Sequence, residues 1–447
     1  MRGAWRRAGG DPEQRGSILV GLLWCLALLS VIVIGVLHTA RMDLLVVKNY
    51  GDRIQAHYLA LAGIEKARAL LYRDAQNRSR NRKNHSGDLY DDETQFRDIP
   101  FGRGTFRLMH RGRTDEGGGV IFGVSDEESR LNVNTATAEE LTQLPNLTPD
   151  VAKAIVNWRG GDNTASAAET QYYGDLQPPY QPRLGPYQTV RELLMVRGVT
   201  LADLLGRDQQ QNGMLAAAEA SGFAVPDLED NDDLGWAGVF TVDSTVQNLN
   251  AAGEQRVNIQ SADETTLATL QGVTPAIAHA IAVYRGQHRF ESIADLLDVT
   301  PPQNQTGGLG GGNASGGQII SQDLFMDLAD NITTDNGQNL AGAINVNTAS
   351  LTVLLCLPGM TRELAQAIIS YRQSSGFLAS TGELLKVSGM SRDLFKQVAP
   401  LVTARSETYR LLCEGRITSS GVRQRIQAIF HVGLTSQELL SWREDDL

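Results

Sequence analysis

From Ser17 to Leu37 the chain carries no charged residue. An apolar run of about 20 residues is long enough to cross a bilayer as a helix, and what this run is decides what the rest can be. If it is a membrane anchor, the remainder is a head carried on a helix. If it is a buried core helix, the remainder is free to be a soluble nucleic-acid-binding protein. Ahead of it lies a polar leader, Met1 to Gly16, with Arg2, Arg6, Arg7 and Arg15 against Asp11 and Glu13, broken by Gly9, Gly10 and Pro12. Basic residues before an apolar run place the leader in the cytoplasm and the remainder outside. A secretory signal has a shorter apolar core with its small-residue cleavage site behind it. Here the core is too long, and the cut is expected before it, between Gly16 and Ser17; an uncut signal anchor is the other reading.

The helical pattern continues past the run. Through Ala56, Leu59, Ala60, Gly63, Ile64, Ala67, Leu70 and Leu71, apolar and small residues recur at three and four, the period of an amphipathic helix. A polar stretch, Arg73 to Asn84, and an acidic cluster, Asp88, Asp91, Asp92 and Glu93, follow. The cluster suits either a solvated loop or a hard cation held by carboxylates. Gly104 to His110 then alternates as a strand does, and Gly119 to Val124 follows after a Gly-rich turn. A long helix followed by a small meander makes an α+β unit.

Next comes an internal repeat. Leu131-Asn132-Val133-Asn134-Thr135-Ala136 is matched by Val257-Asn258-Ile259-Gln260-Ser261-Ala262 and by Ile344-Asn345-Val346-Asn347-Thr348-Ala349. Downstream at equal offsets stand Leu144-Pro145-Asn146-Leu147-Thr148, Leu270-Gln271-Gly272-Val273-Thr274 and Leu357-Pro358-Gly359-Met360-Thr361. Each copy closes on an aromatic-Arg pair: Trp158-Arg159, Tyr284-Arg285 or Tyr371-Arg372. A Thr or Ser caps the first helix of each copy. The Leu-Pro-Gly-hydrophobic-Thr piece is a tight turn whose Gly takes positive φ, and its Thr (Thr148, Thr274 or Thr361) caps the second helix. This is the helix-hairpin-helix pattern. In the first copy the stretch Gly160 to Pro186 reads as an inserted loop, and Asp227 to Asp233 and Pro301 to Gln318 read as linkers. Gly238 to Asp243 reads as a strand. Tyr409 to Arg416 and Val422 to Val432 alternate around a Ser-Ser-Gly turn, a hairpin expected to return to the meander near residue 105.

Composition limits the chemistry. The 447 residues carry a formal charge of −11, which opposes a sequence-independent grip on phosphate backbones. Around the hairpins charge is nearly balanced: Asp150 with Lys153, and Arg362 with Glu363. DNA-binding hairpins flank one hydrophobic residue with two glycines, so that amides reach a phosphate. Here Thr148, Thr274 and Thr361 replace the second glycine, and Asn146 replaces the first in copy one. The aromatic-Arg pairs suit either phosphate contact or the capping of helix ends. The cysteines, Cys25, Cys356 and Cys413, are too few for a disulfide framework. The latter two suit either a pair or two small buried thiols. No zinc spacing, hydrolytic triad or phosphate-cradling loop stands out; Gly307 to Gly312 lacks the Lys-Ser/Thr such a loop needs.

Arg15-Gly16 before Ser17, then Leu22-Leu23-Trp24, Gln55 to Gly63, the Asn-x-Asn-Thr-Ala segments Asn132 to Ala136 and Asn345 to Ala349, and the closing hairpin together resemble the minor pseudopilin K family of type II (general) secretion systems. The resemblance covers nearly the whole chain. It implies prepilin-peptidase cleavage at Gly16–Ser17. It also implies a fifth mature position, Gly21, without the Glu of other pilins. A carboxylate in a membrane helix is costly unless paired, and in related pilins that Glu is thought to meet the N-terminal amine of the subunit ahead. A subunit with nothing ahead has no such partner.

The implied fold is α+β: a long N-terminal membrane-spanning helix, a pilin-like antiparallel sheet domain, and a large inserted, mostly α domain of helix-hairpin-helix (SAM-like) repeats. Its expected parts are the leader 1–16, the helix 17–75 with 17–38 in the membrane, the first sheet part 76–130, the insert 131–402 with repeats at 131–206, 256–300 and 344–402, the returning strands 403–435 and a tail 436–447. The implied role is non-enzymatic, at the pseudopilus tip, priming fibre assembly and supporting protein export. It is single-pass in the inner membrane, with a cytoplasmic N-terminus and a periplasmic bulk. The implied partners are pseudopilins I, J and H, the major pseudopilin, the assembly platform and the prepilin peptidase, with no nucleic acid. No cofactor is expected; some pseudopilins bind calcium, but no residue here matches such a site. Three repeats and long Gly-rich linkers exceed the family pattern. The competing reading is a membrane-tethered helix-hairpin-helix DNA-uptake protein of the competence type.

Overall fold

The computed structural model describes residues 14–84, 89–112, 119–161, 166–208, 235–301 and 319–444. Helix α1 runs from Gln14 to Asn81, with Arg78 and Arg80 in its last turn, where cations complement the helix dipole. Its two halves differ. Every residue from Ile18 to Tyr50 is exposed, whereas Ala56, Leu59, Ala60, Ile64, Ala67 and Leu71 are buried against a sheet. The recurrence at three and four that marks the second half as amphipathic is the stripe that packs.

The sheet is assembled from both ends of the chain. Strands β1 (Ile99–Phe101) and β2 (Gly104–Leu108) form a hairpin, β3 (His110–Arg111) pairs with β4 (Val120–Ile121), and β5 (Ser125–Asp126) follows. After the inserted repeats, β14 (Thr408–Ile417), β15 (Arg423–Val432) and β16 (Gln437–Arg443) complete an antiparallel order β1-β2-β14-β15-β16, with β5 also paired to β14. The C-terminal hairpin does return to residue 105, which faces Arg416. Residues 437–443, expected as tail, are instead β16. A bulge between Ile429 and Phe430 shifts its register, so Leu439, Leu440 and Trp442 do not show the period of two that marks a strand.

Between β5 and β14 the three repeats form closed modules, each opened and shut by two-residue parallel strands. The first pair is β6 (Leu131–Asn132) with β7 (Phe240–Thr241). After β8 (Thr245–Gln247), β9 (Val257–Asn258) pairs with β10 (Ile332–Thr333). After β11 (Asn339–Ala341), which pairs with β8, β12 (Ile344–Asn345) pairs with β13 (Val402–Thr403). Parallel strands need a crossover, and here the crossover is a double hairpin. In the third module it comprises helices Leu351–Leu355, Arg362–Ser375 and Arg392–Val398, with the 3-10 turn Thr381–Lys386. One apolar core joins all three modules, and a second joins α1 to the sheet.

Two further expectations are corrected. The stretch Gly160 to Pro186 is not all loop: Ser166–Gly174 is helical. That helix buries Tyr173 edge-on against Trp158, with ring centroids 5.1 Å apart, and such an anchor is invisible without the fold. The strand expected over Gly238 to Asp243 shrinks to Phe240–Thr241, because Trp236–Gly238 makes a 3-10 turn. The linker Asp227 to Asp233, the stretch 302–318, Asp88 and residues 1–13 lie outside the described residues.

Candidate functional site

Gly16 and Ser17 stand in the first turn of α1. About 20 residues of helix from Ile18 span about 30 Å, and among the described residues this is the one helix long and apolar enough to cross a membrane. A Cβ added at Gly21 would meet nothing within 4 Å. The glycine is therefore not required by packing within this chain.

The hairpin residues do what their spacing implies. Gly272 and Gly359 take φ of +82° and +68°, and Asn146 takes the same conformation at +62°. Asn tolerates this left-handed region better than other side chains, so it replaces glycine without breaking the turn. Thr148, Thr274 and Thr361 each accept a hydrogen bond from a backbone N–H three residues on, at Val151, Ile277 and Leu364. Pro145 and Pro358 open two of these turns, and the Trp236 indole donates to the Pro145 carbonyl at 3.2 Å. In copy two the first helix is capped by Asp263 rather than Thr or Ser.

The aromatic-Arg pairs face inward. Arg372 donates to the carbonyls of Val346 (3.1 Å) and Ala349 (2.8 Å). Arg159 donates to Val133 and Ala136, and Arg285 to Ile259 and Ala262, at the same offsets. All three guanidiniums thus satisfy the carbonyls of the Asn-x-Asn segment, which fixes each repeat's opening strand. Of the two readings of these arginines, the structure has the internal one.

Both paired asparagines also have set tasks. The first, Asn132 or Asn345, accepts the N–H two residues on through its Oδ1 and turns the chain. The second, Asn134 or Asn347, reaches the exit strand and the second hairpin together: Asn347 donates to Leu378 (3.0 Å) and Ala404 (3.1 Å).

Sequence reasoning missed the junction that ties modules to sheet. Asp126, Glu127 and Glu128 are consecutive and almost fully buried. Asp126 accepts from Asn345, Thr348 and Ser406 of the third module and its exit. Glu127 accepts from Thr241 of the first module and pairs with Arg410 of β14 at 2.6 Å. Glu128 accepts the N–H groups of Thr245 (3.1 Å) and Thr408 (3.0 Å). Burial pushes the Glu127 carboxyl up, but Arg410, Arg130 and the Thr241 hydroxyl outweigh it and hold it below the usual range. Burial, then the neighbouring Asp126, pushes Glu128 well above that range. No local pattern marks the run Ser-Asp-Glu-Glu-Ser-Arg, because the partners that let consecutive acids be buried lie over a hundred residues away.

In the other acidic cluster, Asp92 caps the short helix Glu93–Phe96 and Glu93 pairs with Arg97 at 2.9 Å. Among the described residues no group of three His, Cys, Asp or Glu is placed to hold a metal ion. Cys356 and Cys413 are unpaired and buried in separate cores; burial pushes the Cys356 thiol up to about 12.

Parts of the chain are similar to known families. Residues 125–206 match the family model of type II secretion system (T2SS), protein K, and residues 253–301 and 341–403 match that of the helix-hairpin-helix motif. The first match begins at β5 and ends just past the first module's helix Leu201–Leu205, before its closing strand β7. Among curated relatives, the endonuclease/exonuclease/phosphatase family domain-containing protein 1 of Xenopus laevis is 30% identical over 157 residues, 32% of this chain and 26% of its own. ComE operon protein 1 of Bacillus subtilis is 30% identical over 74 residues, 17% of this chain and 35% of its own. The chain thus spans only about a quarter to a third of these relatives' length. Among solved structures, the GspK-GspI-GspJ complex of the enterotoxigenic Escherichia coli type 2 secretion system matches at a TM-score of 0.43 and 11% identity, over 89% of this chain and 99% of that one. The chain thus joins a region similar to type II secretion system protein K to helix-hairpin-helix motifs, behind a long apolar N-terminal helix.

Proposed function

We propose that the chain is a minor pseudopilin at the tip of a type II secretion pseudopilus, where it helps initiate fibre assembly and so supports protein export across the outer membrane. The observation that carries this is the pairing of a protein K domain with a bare apolar helix whose fifth residue after Gly16 is Gly21. A fibre helix with a carboxylate there needs an amine ahead of it; a first subunit has none. In this reading α1 is anchored in the inner membrane with its N-terminus cytoplasmic, and the sheet and modules are periplasmic. Its partners are pseudopilins I, J and H, the major pseudopilin and the assembly platform. The prepilin peptidase cuts Gly16–Ser17, and the protein performs no catalysis of its own.

The alternative, a tethered DNA-uptake protein, needs outward cations and open hairpin amides. The three repeat arginines are spent on internal carbonyls, and the three hairpin threonines cap their own helices. N-terminal sequencing of the protein recovered from membranes tests the proposal. It expects a start at Ser17 with a methylated amine, lost with a bulky residue at Gly16 and only weakened by Gly16→Ala. A start at Met1 together with salt-sensitive duplex binding overturns it.

A further inference from the structure

The first module and the sheet leave a cleft between them, on the sheet face turned away from α1. Along β15, Ile426, Ala428 and Phe430 lie in the helix–sheet core, so Gln427 and Ile429 point the other way. Arg410 of β14 and Ser441 of β16 flank Ile429 in register and share its face. Across from them stand Thr189, Leu204, Leu205, Val242 and Asp243 of the first module. The cleft encloses about 300 Å³, the lower end of the range for small-ligand pockets. Its module side is largely apolar, and several of its polar groups are unpaired. Arg410 gives Nε and Nη2 to Glu127, at 2.6 and 3.1 Å, and its Nη1 has no partner among the described residues. Thr189 caps no helix N–H, unlike Thr148 and Thr200. Its hydroxyl and the Gln427 amide also lack partners among the described residues. Polar groups at a closed interface are paired; unpaired ones that line an apolar pocket are what a ligand site offers.

Charge selects the ligand. Arg130 and Arg410 share the single carboxylate of Glu127, which lies 3.8 Å from Arg130 Nε. Arg191 and Arg443 of the lining add positive charge, and Asp208 and Asp243 subtract it. Four guanidiniums against three carboxylates leave one positive charge. A guanidinium edge matches the two oxygens of a carboxylate. One charge also suits a carboxylate better than a phosphate monoester, which carries nearly two. We infer that the cleft binds a small carboxylate with an apolar body, its anion on Arg410 Nη1 and its body against Leu204, Leu205 and Val242. A free branched-chain acid and the C-terminus of a polypeptide both carry this chemistry. Asp243 is the like charge that such a ligand meets, and it limits the affinity.

The test is titration calorimetry on the full chain, purified in a non-ionic detergent. The probes are N-acetyl-leucine and 4-methylpentanoate, and the controls are N-acetyl-leucinamide and inorganic phosphate. The inference expects saturable binding of an acid, about tenfold tighter than of the amide or of phosphate. Tighter binding of N-acetyl-leucine assigns the site to a polypeptide end, and tighter binding of 4-methylpentanoate assigns it to a free acid. Ser441→Trp, which fills the cleft from an exposed position, and Gln427→Leu should each weaken binding about tenfold with the melting temperature unchanged. Asp243→Asn should tighten it, a gain that a misfolded variant cannot give. Saturable binding of neither acid overturns the inference, as does equal binding of the amide or tighter binding of phosphate. Binding that ignores all three substitutions places the acid elsewhere and overturns it too.

Discussion

Asn347 and Leu378 hold each other in both senses: the Leu378 N–H donates to Asn347 Oδ1 at 2.8 Å, and Asn347 Nδ2 donates back to the Leu378 carbonyl at 3.0 Å. In the first module Asn134 and Tyr187 make the same pair, at 2.7 and 3.1 Å. A side-chain amide used this way mimics a peptide group, so one residue splices the opening strand to the second hairpin of its module. In the second module Gln260 stands there, and its Oε1 accepts from Phe290 at 2.8 Å.

Asn347→Ala should cost about 3 kcal/mol, since it strands two carbonyls and one amide in a buried site. Gln260→Ala, at a half-buried position, should cost about 1 kcal/mol. Urea midpoints at constant m-value measure both. Equal costs would mean that the reciprocal pair is incidental.

The Glu127–Arg410 pair ties the segment between β5 and β6 to β14. Removing one partner leaves a buried charge, so Glu127→Ala and Arg410→Met should each cost about 3–5 kcal/mol. The double variant should cost less than their sum, and a double-mutant cycle reads that coupling. Additive losses would show that the two residues act separately.

Stability should fall as pH rises from about 4 to about 6. Burial, then the Glu127 charge, pushes Asp243 up to about 6 from 3.8, and Glu128 is raised as well. The native state then keeps protons that the unfolded chain has released, so the loss begins near the unfolded values and ends once the folded group ionises. Glu127, lowered, works in the opposite sense: its contribution is present above 4.5 and is lost as pH falls below it. Asp243→Asn and Glu128→Gln should each flatten the fall between pH 4 and 6, seen as a smaller change in urea midpoint. An unchanged slope in both would rule out this assignment.

Gly415 is where α1 presses closest on the sheet. A Cβ there would overlap the Ala56 carbonyl oxygen and lie 2.6 Å from the Ala60 nitrogen and 2.9 Å from Leu59 Cβ. Backbone cannot yield as a side-chain tip can. Gly415→Ala should therefore cost about 3 kcal/mol or more, with a lower melting temperature and new exposure of the Cys413 thiol to alkylation. Wild-type alkylation rates would argue that the helix simply shifts.

The long apolar helix, the repeat and the C-terminal hairpin were legible because each is a local pattern. Residues Ser17 to Leu37 speak through absence of charge, and Thr148, Thr274 and Thr361 through equal offsets. The Asn-x-Asn segments could be seen to recur, but their task could not be read, because Leu378 and Ala404 meet Asn347 only after the module closes. Strand β16 was hidden by its own bulge. The acids Asp126 to Glu128 were hidden by rarity: burying three in a row is favourable only where two modules and β14 converge on them.

Where the inserted modules leave and rejoin the sheet has a kinetic meaning. Asp126 and Tyr409 are register partners across β5 and β14, and Leu108 of β2 faces Cys413 of β14. Pairing such distant strands directly carries the loop-closure entropy of some three hundred free residues. Modules that fold first bring β12 and β13 side by side and deliver Thr408 to the place that β5 has just left. The intervening chain then behaves as a short, stiff turn. In that order of folding the modules would be the template on which the sheet closes, and one more or one fewer would leave that turn as short as before.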